Sequence, residues 1–318
     1  MTRARRRGAV AGVASSAMRS PRPRGRLAAA LLLLSACLGA CGGSGDSAQG
    51  KATTRASAAV AAPACPAAGR HSVDGGVLVL PPGANAGTVP LLVVVIPGGG
   101  GDPRDGLGLA RAARRAGLAL LYPTSEDGFW SLNHRQGDAD ITAVRGLLER
   151  TLAGGCFDQR RLTTTGVSNG AGFATRLGCE LPERFAGVAP VSAGFRALDP
   201  CPATARTSLL AIHGTADTVV PYNGRKPGRE GSVPRFAARW ARRVGCDARP
   251  AVTSLRPRVT RISYRGCDGG LHVAVVRLTG NTHGWAGARR SPFPQRNPSH
   301  FDATAAVVAF ALAARRPA

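Results

Sequence analysis

One pentapeptide carries the strongest chemical signal in the chain, Gly166-Val167-Ser168-Asn169-Gly170. A serine stands clear of a sheet only where a strand ends and a helix begins within one sharp turn. Backbones pass so closely there that glycine is favoured two places before it and two places after. With 42 glycines in the chain the pattern alone arises easily by chance, so its surroundings decide. Leu162-Thr163-Thr164-Thr165 precedes it as a β-like run, and Ala171-Gly172-Phe173-Ala174-Thr175-Arg176-Leu177 follows as a helical one. Ser168 is therefore the expected nucleophile; the alternative is a structural Gly-Ser turn.

A serine hydroxyl is a poor nucleophile at neutral pH and needs a base to accept its proton during attack. Where the strand–turn–helix serine motif occurs, the partners follow it in chain order, acid and then histidine, each on a loop beyond a strand. Asp217 fits the first place, in His213-Gly214-Thr215-Ala216-Asp217, just past the apolar run Leu209–Ile212. His283 fits the second, in Asn281-Thr282-His283-Gly284-Trp285, just past Val273–Leu278. The rivals fit less well. Asp199 is followed by Pro200 and Cys201, which suits a structural loop. His213 precedes the acid and reads as a turn residue, His272 precedes a strand, and His300 opens the last helix. For the oxyanion of a tetrahedral intermediate, one donor is expected from the backbone N–H of Asn169. The second is expected from Pro97-Gly98-Gly99-Gly100-Gly101, with Gly99 the chosen donor and Gly98 close behind. Trp130, Tyr222 and Trp285 are candidates for lining a substrate pocket, against the alternative that they are core.

These residues require an alternating scaffold, and the pattern supplies one. Gly76 to Leu80 alternates as an edge strand, and Leu91 to Ile96 is an apolar, β-branched run suited to a strand buried on both faces. Further strands are expected at Leu118–Tyr122, Arg161–Thr165, Ala186–Val191, Ser208–Ile212, Val259–Tyr264 and Val273–Leu278. Helices are expected at Leu109–Ala116, from Asp138 or Asp140 as cap to about Ala153, at Asn169–Leu181, from Ser232 as cap through Arg243, and from about Ala303. Such alternation predicts an α/β fold with a mostly parallel central sheet and helices on both faces.

The chain has 318 residues, 44% of them apolar, and a net charge of +24 that is almost all arginine; Lys51 and Lys226 are the only lysines. Eight of the 42 basic residues precede residue 27 and belong to a targeting segment. The remainder is spread along the chain with no basic stripe or recognised module, so no nucleic-acid partner is expected. Arg19 to Arg26 is basic, Leu27 to Leu34 is apolar, and small residues end in Leu38-Gly39-Ala40-Cys41. The apolar run is too short to span a membrane, which takes about 20 residues. Leu-Gly-Ala-Cys reads as a lipobox with Cys41 lipidated. Leu34-Ser35-Ala36-Cys37 also fits, plain secretion is the alternative, and Met18 offers another start. The expected organisation is a signal peptide over 1–41, a flexible Gly/Ser/Ala/Thr tether over 42–64 and a catalytic domain over 65–318. Membrane contact is expected only through the lipid, and the place of action is the cell envelope or its exterior.

Six cysteines follow the tether: Cys65, Cys156, Cys179, Cys201, Cys246 and Cys267. Without C-x-x-C or H-x-x-x-H spacing they predict disulfides, with no metal or cofactor. Topology favours Cys156 with Cys179, both at the lower edge of the sheet, and Cys246 with Cys267 around a short β-like stretch. Cys65 and Cys201 are left over.

With these pieces in place, the chain resembles the secreted polyhydroxybutyrate depolymerase and feruloyl esterase family of α/β-hydrolases. The resemblance runs from about Gly69 onward and is most specific over Gly166 to Gly194. There Ser-Asn-Gly, Leu177-Gly178-Cys179-Glu180 and Phe185-Ala186-Gly187-Val188-Ala189-Pro190-Val191 match. His213-Gly214-Thr215-Ala216-Asp217 with Val220-Pro221-Tyr222, Trp240 with Cys246, and His283-Gly284-Trp285 match as well. It implies an acyl-serine esterase with the triad at Ser168, Asp217 and His283, acting on small-molecule or oligomeric esters of hydroxyalkanoates, acetylated sugars or hydroxycinnamates. Two places depart from the family pattern: Pro97 stands where histidine is usual, and Ala286 where proline is favoured. With no separate granule-binding module after the last helix, soluble esters or short oligomers are the expected substrates. A serine peptidase on the same fold and a non-catalytic envelope lipoprotein are the competing readings.

Overall fold

The computed structural model describes residues 65–96, 106–195, 198–225, 231–290 and 295–317. The signal segment with Cys41, the tether over 42–64 and the glycine loop with Gly99 lie outside the described residues.

Ten strands form one sheet: β1 (Gly69–Val73), β2 (Gly76–Leu80), β3 (Val89–Val95), β4 (Ala119–Pro123), β5 (Phe157–Val167), β6 (Gly187–Val191), β7 (Ser208–Gly214), β8 (Ala251–Arg256), β9 (Val259–Tyr264) and β10 (Val273–Leu278). Their spatial order is β1-β2-β4-β3-β5-β6-β7-β10-β9-β8. The six central strands, β4 to β10 in that order, pair parallel. Antiparallel strands finish both ends. Five helices complete the fold: α1 (Leu109–Ala116), α2 (Ala139–Ala153), α3 (Asn169–Glu180), α4 (Val233–Arg243) and α5 (Ala303–Ala313). This is the α/β-hydrolase fold.

Both faces of the sheet are apolar because the central strands are covered twice. In β3 every residue is buried. Leu92 and Val94 pack with α1 and α5 on one side. Leu91, Val93 and Val95 pack with α2 and α3 on the other. A truncation such as Leu91→Ala would cost about 2–5 kcal/mol, because so tight a site collapses poorly onto a cavity. Among the described residues, no helix is long and apolar enough to cross a membrane.

Two helix starts are capped by a side chain. Ser232 Oγ accepts from Arg235 N at 3.4 Å and caps α4 as expected; Asp302 does the same for α5 through Ala305 N. At α2 the capping expectation is corrected. Asp138 occupies the N-cap position but makes no cap bond, because its carboxylate is engaged by Arg176 and His134. Asp140 instead accepts from Ser131 N at 2.8 Å.

The disulfides also correct the expectation. Cys246 pairs with Cys267, but Cys156 pairs with Cys65 and Cys179 with Cys201. Cys65 leads into β1, which runs in the same direction as the central strands and so begins at their lower edge, where Cys156 precedes β5. The connection from β6 returns down the sheet to reach β7, bringing Cys201 beside Cys179 in the last turn of α3, with 5.0 Å between their Cα atoms.

Candidate active site

β5 ends at Val167 and α3 begins at Asn169, so Ser168 alone makes the turn, with φ 55° and ψ −122°. A non-glycine residue in that region is strained, and such strain persists only where its surroundings over-determine it. Here Ser168 N donates to Val191 O at 3.1 Å, and its carbonyl accepts from Gly172 N at 3.0 Å. The flanking glycines have a common cause: a Cβ on Gly166 or on Gly170 would collide with the carbonyl oxygen of Val95 in β3.

Because β5, β6, β7 and β10 are consecutive parallel neighbours, the loops leaving them emerge on one rim. Asp217 follows β7 and His283 follows β10, and the rim brings them to Ser168. Ser168 Oγ lies 2.9 Å from His283 Nε2, and His283 Nδ1 lies 2.8 Å from Asp217 Oδ2. With Nδ1–H donating to the carboxylate, Nε2 presents its lone pair to the serine hydroxyl. The carboxylate is buried, and its other oxygen accepts from the backbone N–H of Val219 at 3.0 Å and of Val220 at 2.7 Å. Burial pushes the Asp217 pKa up, but the donors from His213, His283 and Val220 outweigh it and hold the carboxyl well below the usual carboxylate range.

The supporting contacts are polar and local. The two loops are laced together by Ala216 N donating to Asn281 O at 3.0 Å. Ser192, at the end of β6, has φ 50°. Its hydroxyl donates to Gly284 O at 3.0 Å and accepts from Gly284 N at 3.2 Å, pinning the residue after His283. On the other flank Asn169 and Trp130 exchange two bonds: Trp130 N donates to Asn169 Oδ1, and Asn169 Nδ2 donates to Trp130 O, both at 3.0 Å. Arg176 secures the segment that follows, donating to Ser131 O, Gly137 O, Glu180 and Asp138.

All three aromatic candidates are buried. Trp285 is fully buried and its Nε1 donates to Thr304 Oγ1, so it is core. Trp130 is 2% exposed, donates from Nε1 to Ile96 O and stacks on Phe173, so it braces Asn169 and offers no pocket wall. Tyr222 is buried with a hydroxyl that meets no partner among the described residues, and burial pushes its phenol pKa up. Among the described residues, the large apolar side chains that face solvent next to Trp130 and Asp217 in the chain are Phe129, 73% exposed, and Val219, 53% exposed. Sequence reading missed both, along with Ser192 and the contact of His213 with the acid; the run Val191-Ser192-Ala193 at a strand end was the one available signal.

His134, Asp138 and Glu180 form the one group among the described residues with metal-like spacing. The buried Arg176 guanidinium already pairs with both carboxylates, so the cluster serves as its counter-charge. A cavity of about 520 Å³ is lined by Arg111, Arg115, Arg289 and Arg290 among others, and none of Ser168, Asp217 and His283 borders it.

No protein-family model matches the chain. Among curated proteins, a putative esterase NocK of Nocardia uniformis subsp. tsuyamanensis is 29% identical over 240 residues, 64% of this chain and 67% of the relative. Feruloyl esterase B of Piromyces equi is 26% identical over 212 residues, 61% of this chain but 39% of that protein's length. Feruloyl esterase D of Neurospora crassa is 26% identical over 214 residues, 64% of this chain and 69% of the relative. Among solved structures, an acetyl xylan esterase from Aspergillus awamori superposes with a TM-score of 0.48 at 17% identity, over 65% of this chain and 88% of that one. A fungal esterase from Rhizomucor miehei gives 0.49 at 13% identity, over 76% and 82%. The sequence relatives support a carboxylic-ester hydrolase.

Proposed function

We propose that the protein is an exported serine esterase that works through an acyl-serine intermediate. The observation that carries this reading is the unbroken hydrogen-bond chain from Ser168 Oγ through His283 to Asp217. As Ser168 attacks the ester carbonyl, its proton passes to His283 Nε2, and Asp217 stabilises the imidazolium without taking the proton. The oxyanion is met by the backbone N–H of Asn169, the first residue of α3, where the helix N-terminus favours negative charge. Gly99 supplies the second N–H in this reading. Collapse of the tetrahedral intermediate returns the proton from His283 to the departing alcohol. Water then repeats the cycle on the acyl-serine and releases the acid.

Hydroxycinnamate and hydroxyalkanoate esters are the substrate classes favoured here, through the likeness to named feruloyl esterases and the family resemblance of the motifs. Phe129 and Val219 are assigned to the apolar wall that meets the acyl or alcohol group, on the strength of their exposure beside Trp130 and Asp217. Three disulfides suit an oxidising compartment, and lipidation of Cys41 would hold the enzyme at the outer face of the membrane. A purified soluble form should hydrolyse at least one of p-nitrophenyl acetate, p-nitrophenyl butyrate, a hydroxybutyryl ester and methyl ferulate, and Ser168→Ala should abolish that turnover. Absence of acyl transfer to any of them by the folded wild type would instead favour a binding lipoprotein.

A further inference from the structure

His283 is not the only imidazole on the acid. His213, near the end of β7, is buried. Its Nε2 lies 3.2 Å from Asp217 Oδ2 and 2.8 Å from the carbonyl oxygen of Val220. A carbonyl and an ionised carboxylate can only accept, so this nitrogen carries the ring proton and donates to both. Asp217 Oδ2 is thus held between two imidazole N–H groups, and Oδ1 between two backbone N–H groups. Beyond Asp217, the titratable groups around His213 are Tyr222, whose ring stands edge-on 6.1 Å away, His283 across the carboxylate, and Arg277, its register partner on β10.

We propose that His213 is a positioning residue for the reaction, its Nε2–H fixing Asp217 Oδ2 against His283 Nδ1 and limiting the basicity of the carboxylate. The inference rests on the esterase reading for its kinetic consequence and on geometry alone for the contact. An apolar side chain would satisfy the packing of β7 at this place. It would also leave a buried anionic oxygen with one donor fewer, free to swing from the axis of the His283 bond. His213 acts only through Asp217 and touches no reacting atom.

Three variants and two readouts test this. His213→Phe removes the donor and keeps a ring; kcat should fall about 10- to 100-fold, the usual worth of a hydrogen bond to a charged group, with KM unchanged. A carboxylate relieved of one donor holds the His283 imidazolium more strongly, so the acid limb of the kcat/KM profile should move to higher pH. His213→Gln carries an amide N–H at similar reach and should restore both kcat and the limb. His213→Asn is too short and should not, which keeps the contrast available if the phenylalanine variant fails to fold. The second readout needs no turnover. In the resting wild type, long-range ¹H–¹⁵N correlation should give His213 as the Nε2–H tautomer. The downfield Nδ1–H resonance of His283 should shift in His213→Phe and return in His213→Gln. An Nδ1–H tautomer for His213 would overturn the proposal. So would equal loss in the glutamine and asparagine variants with an unmoved acid limb, the signature of packing alone. If the wild type hydrolyses no ester, the esterase reading fails by itself and the resonance data still decide the contact.

Discussion

The two rims of the sheet are held by different chemistry. Where the parallel strands begin, all three disulfides lie: Cys65–Cys156 below β5, Cys179–Cys201 at the foot of α3, and Cys246–Cys267 between the foot of α4 and the start of β10. Where those strands finish, the described residues carry no cross-link at all. Ser168, Asp217 and His283 are held there by hydrogen bonds through Ser192, Asn281, Asn169 and Trp130. A covalent staple acts mainly on the unfolded chain, while a hydrogen-bond lattice acts on the geometry of the folded one. Stability and precision are thus placed at opposite ends of one scaffold.

That division can be broken or sharpened by experiment. At the upper rim, Ser168→Ala and His283→Ala should each lower kcat by about 10⁴- to 10⁶-fold, and the double variant should be scarcely worse, since the residues act as a unit. The Ser168→Ala melt should match the wild type, while His283→Ala and the double variant, which take a donor from the buried Asp217 carboxylate, should melt modestly lower. A large loss of stability in Ser168→Ala would show the rim to be structural as well. Ser192→Ala leaves the backbone of Gly284 short of a donor and an acceptor, and kcat should drop about 10-fold at constant KM, read from initial rates on one ester. At the lower rim, removing the Cys65–Cys156 pair as a double alanine variant should cost about 2–4 kcal/mol in denaturant melts. Its kcat at 25 °C should stay within twofold of the wild type; a collapse of kcat would mean that the rims are coupled. The smallest effect is on acid stability. Asp217 titrates below the ordinary carboxylate range in the folded protein. Its contribution is therefore complete above the unfolded value of about 3.9 and is lost as pH falls below it toward the folded value. Asp217→Asn should lose stability less steeply than the wild type between about pH 4 and pH 2, measured by urea melts.

The upper rim was also the more legible of the two. The turn at Ser168 is encoded within five residues, and the loops after β7 and β10 announce themselves because each follows an unmistakable apolar strand. Disulfide partners were not legible in the same way, because they depend on where the β6–β7 connection and the chain before β1 travel in space, which no local pattern records. Trp285 misled for a related reason: its neighbour His283 faces the rim, while its own ring turns into the core beside Thr304. The strands β1 and β8 escaped notice because they lie at the edges of the sheet and bury no residue fully. His213 looked like an ordinary turn residue, since a spacing of four outside a helix says nothing of direction.

One edge of the sheet gathers part of the arginine excess. β8 ends the sheet with five of its six residues exposed, Val252 and Leu255 among them. An open strand with aliphatic side chains turned to water is a template on which another copy of the chain could stack. Arg249 before it, Arg256 within it and Arg258 in the hairpin turn after it place guanidinium charge along that border. Charge along an open strand border is a feature that disfavours edge-to-edge pairing of sheets in general.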